Sequence, residues 1–225
     1  MPTFTQEVVR ICNEEWEFFD RGKRKEYQSK VFQRIGTYWK EGPLINGRDG
    51  RTDVNFAGLN KDNPNVIVPP KQNKNPAWSA AFISFVARKS GAGNAFLYSG
   101  FHSKYILAAL KEAGNPASTA KFIAKRHTQF TPRVGDLIAC GRENAKTATF
   151  DTAPQFQDQE GFFPSHCDFV IGVDLANNTV LTVGGNVVDS VRRKNWPLDK
   201  NKHIADKNPQ SPSHNVICVI ANSLP

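Results

Sequence analysis

The fold is predicted from the stretch Asn75-Pro-Ala-Trp-Ser-Ala-Ala-Phe-Ile-Ser-Phe85, which carries the signals of a buried helix and of its start. Asparagine followed by proline is typical of a helix N-terminus, with the asparagine as the N-cap. From Trp78 onwards apolar residues recur at helical spacing, and Gly91 marks the expected end. The pattern therefore predicts a core helix from Trp78 to Ser90, with Ser79 in its first turn.

Helical patterns also occur on both sides of this core helix. Apolar residues keep an i, i+3 or i+4 rhythm over Val8–Phe19 and again over Tyr27–Trp39, which predicts two N-terminal helices. Residues 42–75 contain many turn dipeptides, and we expect this loop-rich segment to line one wall of a cleft. Further helices are predicted over Phe101–Lys111 and Ser118–Arg126.

Strand patterns replace helical ones in the second half of the chain. Runs rich in β-branched and aromatic residues predict strands over Asp136–Cys140, Asp168–Asp174, Thr179–Val183 and Val216–Ile220. Helices first and strands second indicate an α+β fold, in which the N-terminal helices pack on an antiparallel sheet.

A single domain over residues 1–225 is the organisation we expect. It comprises a helical region at 1–41, the loop-rich cleft segment at 42–75, and the core helix and sheet at 76–225. The chain has 225 residues, of which 39% are hydrophobic, and this content excludes a wholly disordered protein. Since no run of about 18 apolar residues is present, no membrane-spanning helix is expected.

The net charge limits the class of partner, and the N-terminus and the cysteines indicate the compartment in which the protein is made. A net charge of +8 favours a polyanionic partner such as the bacterial cell wall, nucleic acid or an acidic lipid surface, unless the basic residues merely solvate the surface. No base-reading motif is present, so we do not expect nucleic acid. The N-terminus lacks the apolar stretch of a signal peptide, and the four cysteines are sparse. We therefore expect a reduced chain made in the cytoplasm.

Ser79 and His166 are the first candidate site residues. The unpaired N–H groups and the dipole at a helix start favour negative charge, which suits a nucleophile or an oxyanion, although a serine there more often only caps the backbone. If Asp174 faces Asn178 across a hairpin turn, His166 lies opposite Asn186 at the open end of the ladder. The amide of Asn186 would then fix the tautomer of a general base.

A metal or cofactor site is not expected. His166, Cys167 and Asp168 resemble a metal cluster only by composition, because adjacent strand residues point to opposite faces. The sequence has no zinc-binding histidine motif, no phosphate-binding glycine loop and no nucleophile elbow.

Taken in order, four segments resemble the papain-like hydrolases of bacterial cell walls, the NlpC and CHAP group. The segments are the core-helix start around Ser79, Pro132-Arg-Val-Gly-Asp-Leu-Ile138, Ser165-His-Cys-Asp-Phe-Val170 and Gly184-Gly-Asn186. Residues 30–195 are similar, more closely, to an uncharacterised bacterial family within that group. The resemblance implies a papain-like fold, a nucleophile–His–Asn triad of Ser79, His166 and Asn186, and hydrolysis of an amide bond in peptidoglycan by an endopeptidase or amidase.

Ser79 stands where the wider group has cysteine, and three interpretations stay open. Ser79 acts as the nucleophile of a serine version of the triad. Alternatively, a nearby thiol, Cys140 or Cys167, takes over, because a thiolate is the better nucleophile at neutral pH. In the third, the site is catalytically silent and the domain binds the wall or another protein.

The resemblance also implies a biological setting. Some members of the group, such as TseH-like effectors, are antibacterial toxins injected by type VI secretion. A chain made in the cytoplasm without a signal peptide fits delivery to the periplasm of a target bacterium. The expected partners are peptidoglycan, a secretion-system carrier and an immunity protein.

Overall fold

The helices form where apolar residues recur at helical spacing. The computed structural model describes residues 2–28, 30–43 and 77–225, and within them there are four α-helices. They are α1 (Phe4–Phe18), α2 (Val31–Glu41), α3 (Ser79–Lys89) and α4 (His102–Ala113). The predicted core helix is confirmed as α3, but its N-cap is Trp78 rather than the asparagine three residues earlier. The cleft wall predicted over residues 42–75 lies outside the described residues, apart from Gly42 and Pro43.

The strands form one antiparallel sheet, which confirms the predicted α+β class. Its order is β1-β7-β2-β3-β4-β5, and β6 pairs with β7 outside this path. The seven strands are β1 (Phe122–Lys125), β2 (Leu137–Gly141), β3 (Ser165–Asp174), β4 (Thr179–Gly184), β5 (Arg192–Pro197), β6 (Lys207–Asn208) and β7 (Ser211–Asn222).

Three elements differ from the sequence-based expectation, and the smallest is the two-residue strand β6, which was not predicted. The helix predicted over Ser118–Arg126 is wrong, because this segment contains β1, which pairs with β7 and buries Phe122 and Ala124 on alternate positions. Tertiary pairing outweighs local preference here. Strand β5 was not predicted. Lys194 and Trp196 are buried at alternate positions, but the alternation is not visible in the sequence because most residues of the strand are charged or polar.

Each face of the sheet has its own hydrophobic cluster. Ala139 and Cys167 belong to the main core, which also contains the buried faces of the helices. Ile138 and Cys140 belong to a smaller second cluster. Because neighbouring strand residues point to opposite faces, the alternation along β2 and β3 divides these residues between the two clusters.

A buried polar contact holds α1 against α2. Glu15 is 1% exposed. Its carboxylate accepts hydrogen bonds from the Arg34 guanidinium, at 3.0 Å for Nε, and from the Tyr38 hydroxyl. The side chain of Tyr38 in turn packs against Phe82 and Phe85 of α3. The N-terminal helices thereby brace α3, whose first residue is Ser79.

Candidate active site

Ser79 is the first residue of α3 and is 3% exposed. The preceding Trp78 is fully buried, and its indole N–H donates to Glu26 Oε2 at 2.7 Å. The chain after β4 passes close to this helix start, because a Cβ on Gly185 would lie 2.6 Å from the Cβ of Phe82. Only a glycine allows this approach of the sheet to the first turn of α3.

His102, the first residue of α4, is the direct partner of Ser79. Its Nε2 lies 2.7 Å from the Ser79 hydroxyl oxygen, and its Nδ1 is hydrogen-bonded to the Tyr105 hydroxyl. Burial, followed by the electrostatic influence of His166 and Arg142, holds the pKa of His102 well below its usual 6.5, so the ring is neutral at neutral pH. A neutral ring with its proton on Nδ1 would donate to the Tyr105 oxygen and leave Nε2 free to accept from Ser79.

A second set of buried polar contacts lies beside the contacts of Ser79, His102 and Tyr105. His166 Nε2 lies 2.8 Å from Asp168 Oδ1, and Lys194 Nζ lies 2.8 Å from Asp168 Oδ2. Burial opposes ionisation of Asp168, but the Lys194 ammonium and His166 outweigh it and bring the carboxyl pKa well below its usual range. Asp168 is therefore an ionised carboxylate, to which His166 Nε2–H donates.

The remaining nitrogen of His166 is a free base. Burial is the largest influence on its pKa, which falls to about 4 despite the neighbouring Asp168 carboxylate. Since Nε2 carries the proton, Nδ1 has a lone pair, and it has no hydrogen-bond partner within the part of the chain that the structure describes. The His102 and His166 ring centroids are 5.1 Å apart. The two sets of polar contacts therefore form one site with two neutral histidines.

Because Gly184 has no side chain, there is room beside it for the contact between His166 and Asp168. A Cβ at this position would lie 1.8 Å from Asp168 Oδ1 and 3.1 Å from His166 Nε2. Any side chain would therefore displace the carboxylate from the histidine.

Asn186 lies just past the end of β4 and outside the ladder. Asp174 pairs with Thr179, so the predicted pairing of Asp174 with Asn178 is wrong by one residue. A bulge in β3 between Val170 and Gly172 then restores the predicted register, in which Val170 pairs with Thr182 and Phe169 with Val183, but the paired residues end there. Asn186 adopts a left-handed backbone with φ 56°, and its side chain makes no hydrogen bond to any described residue. The contact to His166 that was expected from Asn186 comes instead from Asp168, whose Oδ1 lies 2.8 Å from His166 Nε2.

The two candidate cysteines belong to different faces of the sheet. Cys140 pairs with His166 in the ladder of β2 and β3 and lies in the second cluster. Cys167 lies in the main core. Burial raises the thiol pKa of Cys140 to about 12 and that of Cys167 well above its usual value. Both are therefore neutral thiols at neutral pH.

A cavity of about 150 Å³ opens onto Ser79 and His102. Its lining also includes Phe101, Arg142, Phe162 and Ser165. The rings of Phe101 and Phe162 contact edge to face at 4.9 Å and form an apolar part of the wall. The serine and one histidine thus face a space that a small part of a substrate can enter.

Sequence reasoning missed His102, Tyr105, Asp168 and Lys194 as site residues. For Asp168 a signal was present, because residues two apart in a strand share a face and Asp168 stands two positions after His166. For His102 the signal was weaker, namely a histidine at the start of a predicted helix. Within the described ranges no three His, Cys, Asp or Glu side chains are grouped to hold a metal ion.

Comparisons with known proteins give a family but no activity. Residues 26–219 match the model of a family described as uncharacterised proteins conserved in bacteria, DUF2272. The chain matches no curated protein and no solved structure. Among the described helices, none has the length and apolar character needed to cross a membrane.

Proposed function

The chain belongs to the bacterial DUF2272 family, and we propose that it hydrolyses amide bonds in peptidoglycan, with Ser79 as the nucleophile. One observation carries the proposal: the Ser79 hydroxyl lies 2.7 Å from a neutral histidine, at a helix start that faces a cavity. A hydroxyl within hydrogen-bond reach of a neutral imidazole is the arrangement that acyl transfer requires.

The reaction begins with attack of the Ser79 oxygen on the amide carbonyl carbon. His102 Nε2 takes the serine proton, while Nδ1–H remains bonded to Tyr105, which orients the ring. The backbone N–H groups of the first turn of α3 have no intrahelical acceptor and stabilise the oxyanion. His102 then gives the proton to the departing amine, and water hydrolyses the resulting ester of Ser79.

Asp168, held in place by His166 and Lys194, supplies the negative charge near His102. When His102 takes the proton, a cation forms in a buried site, and the Asp168 carboxylate favours it because it acts to raise the pKa of His102. The orienting role expected for Asn186 passes to Asp168, which holds His166. Asn186, half-buried beyond the end of β4, remains a predicted but less important member of the site.

The proposed fold subtype is papain-like, of the NlpC and CHAP type. Its supports are a nucleophile at the first residue of the core helix, a histidine at the second residue of β3, and the antiparallel sheet. The sequence resemblance supports peptidoglycan as substrate, cut within the stem peptide or at its junction with muramic acid. A net charge of +8 suits an acidic wall polymer through long-range attraction.

The proposed setting is antibacterial competition. In it the protein is a type VI secretion effector that acts in the periplasm of a target cell and is neutralised in the producer by an immunity protein. The support is the resemblance to effectors of the NlpC group. Co-expression in the periplasm and in the cytoplasm of one host tests the setting, since only periplasmic protein should lyse cells.

The test of the activity is digestion of purified sacculi by the wild type, Ser79→Ala and Ser90→Ala. Ser90 is a matched control, because it directly follows α3 and its buried hydroxyl has no hydrogen-bond partner among the described residues. We expect wild type and Ser90→Ala to release new amino groups and Ser79→Ala to release none. Full activity of Ser79→Ala would reject this nucleophile. Wild type that binds sacculi without any turnover would establish a binding module instead.

A further inference from the structure

Among the described residues that line the cavity, Arg142 and the exposed Glu143 carry charged side chains that the mechanism does not use. It directly follows β2, and its backbone N–H donates to the Pro164 oxygen at 3.0 Å, just before β3. The turn after it folds tightly, because a Cβ on Gly141 would lie 1.9 Å from the Ala145 oxygen. The backbone of Arg142 is therefore fixed at the rim of the site.

The guanidinium of Arg142 is unpaired among the residues that the structure describes. It makes no hydrogen bond or ion pair with any residue of the described ranges, although the side chain is half-buried. By contrast, Arg34 is paired with Glu15, and Arg126 with Asp151. Glu143 is adjacent in sequence but exposed, and it forms no ion pair with Arg142. An uncompensated guanidinium on a cavity wall is a ready donor to an anion.

The position of Arg142 puts that anion beside the reacting bond. The positive charge of Arg142 acts to lower the pKa of both His102 and His166. Arg142 and Ser79 line the same cavity of about 150 Å³. A ligand whose carbonyl carbon reaches Ser79 can therefore place a neighbouring group on the guanidinium.

We propose that Arg142 binds a free carboxylate of the substrate next to the scissile amide, so that the site takes acidic peptides. A planar guanidinium matches a carboxylate through two parallel hydrogen bonds. Stem peptides of peptidoglycan carry such carboxylates. The inference thus rests on the proposed function and narrows its substrate class.

Binding to the inactive Ser79→Ala protein tests this without turnover. The probe is a synthetic stem tetrapeptide, used as the free acid and with all its carboxylates amidated, with affinities measured by calorimetry. We expect the acid to bind at least about tenfold more tightly than the amide. This preference should vanish when Arg142→Gln is added. It should persist when Lys146→Gln is added instead, because Lys146 is an exposed basic residue of the same turn.

Three results would overturn the carboxylate site. They are equal binding of acid and amide, loss of the preference in the Lys146→Gln control, and no binding of either peptide. Measuring the cleavage of sacculi and peptides distinguishes failure of the carboxylate site from failure of the proposed function. If wild type cleaves sacculi and Arg142→Gln slows acid and amidated peptides equally, Arg142 acts on the oxyanion and the enzyme assignment stands. If sacculi are not cleaved at all, the function itself fails.

Discussion

Ser79 and His102 are each the first residue of a helix, and their side chains meet at 2.7 Å. The start of α3 thus faces the start of α4. A pair of hydrogen bonds fixes the return of the chain between the two helices: Ser84 Oγ donates to the Ser99 oxygen at 2.8 Å, and Ser99 N–H donates back to Ser84 Oγ at 3.0 Å.

Removal of His102 should cost more activity than removal of His166. His102→Ala leaves Ser79 without the base it contacts, and we expect kcat to fall by about 10²- to 10⁴-fold, the usual contribution of a positioned base. His166→Ala should lower kcat less. Measurement of kcat on a soluble stem peptide, with circular dichroism as the control for folding, ranks the two histidines. If His166→Ala alone abolishes turnover, His166 is the base.

The activity should be limited on the acid side below pH 6.5. His102 accepts a proton only when neutral, and its folded pKa lies well below 6.5, so activity is lost as the pH falls through that lower value. We expect kcat/KM to rise with pH, with a half-point below 6.5, and to be level above it. A thiol nucleophile predicts that the rise in activity with pH occurs at a higher pH instead. Because the pKa of Cys140 is raised to about 12, its activity would still increase between about pH 8 and pH 10.

Replacement of either cysteine should leave the chemistry intact. Cys140→Ala and Cys167→Ala remove buried neutral thiols that lie on opposite faces of the sheet. We expect both variants to keep most of the wild-type turnover on sacculi, with a loss of stability of about 1 kcal/mol from the smaller side chain. Loss of turnover in a folded Cys140→Ala protein would show that the Cys140 thiol is the nucleophile.

Lys194→Met should destabilise the fold through Asp168. The substitution leaves a buried carboxylate without its ammonium partner, and breaking such a pair costs about 3–5 kcal/mol. Urea unfolding measures the loss. The double variant Asp168→Asn/Lys194→Met removes both charges and should recover part of the stability. A Lys194→Met protein as stable as the wild type would mean that the carboxylate is not held ionised by Lys194.

The sequence predicts what local patterns determine. The core helix and Ser79 in its first turn follow from apolar spacing, and His166 in a strand follows from the β-branched run after it. The link from Ser79 to His102 depends instead on how α4 returns to α3, which no local periodicity encodes. Strand β5 was missed because Lys194 is buried by its partner on another strand, and a sequence pattern treats a lysine as exposed.

Lys194 is also the last residue of the site to leave the ribosome. The serine and both histidines are synthesised earlier, and until β5 is added Asp168 has no ammonium beside it. Its carboxyl group must then stay in water or take up a proton, and in either state it does not hold His166 as the finished sheet does. A stalled or truncated chain therefore carries Ser79 without the charge network around it. The charge network is thus complete only in chains that include β5.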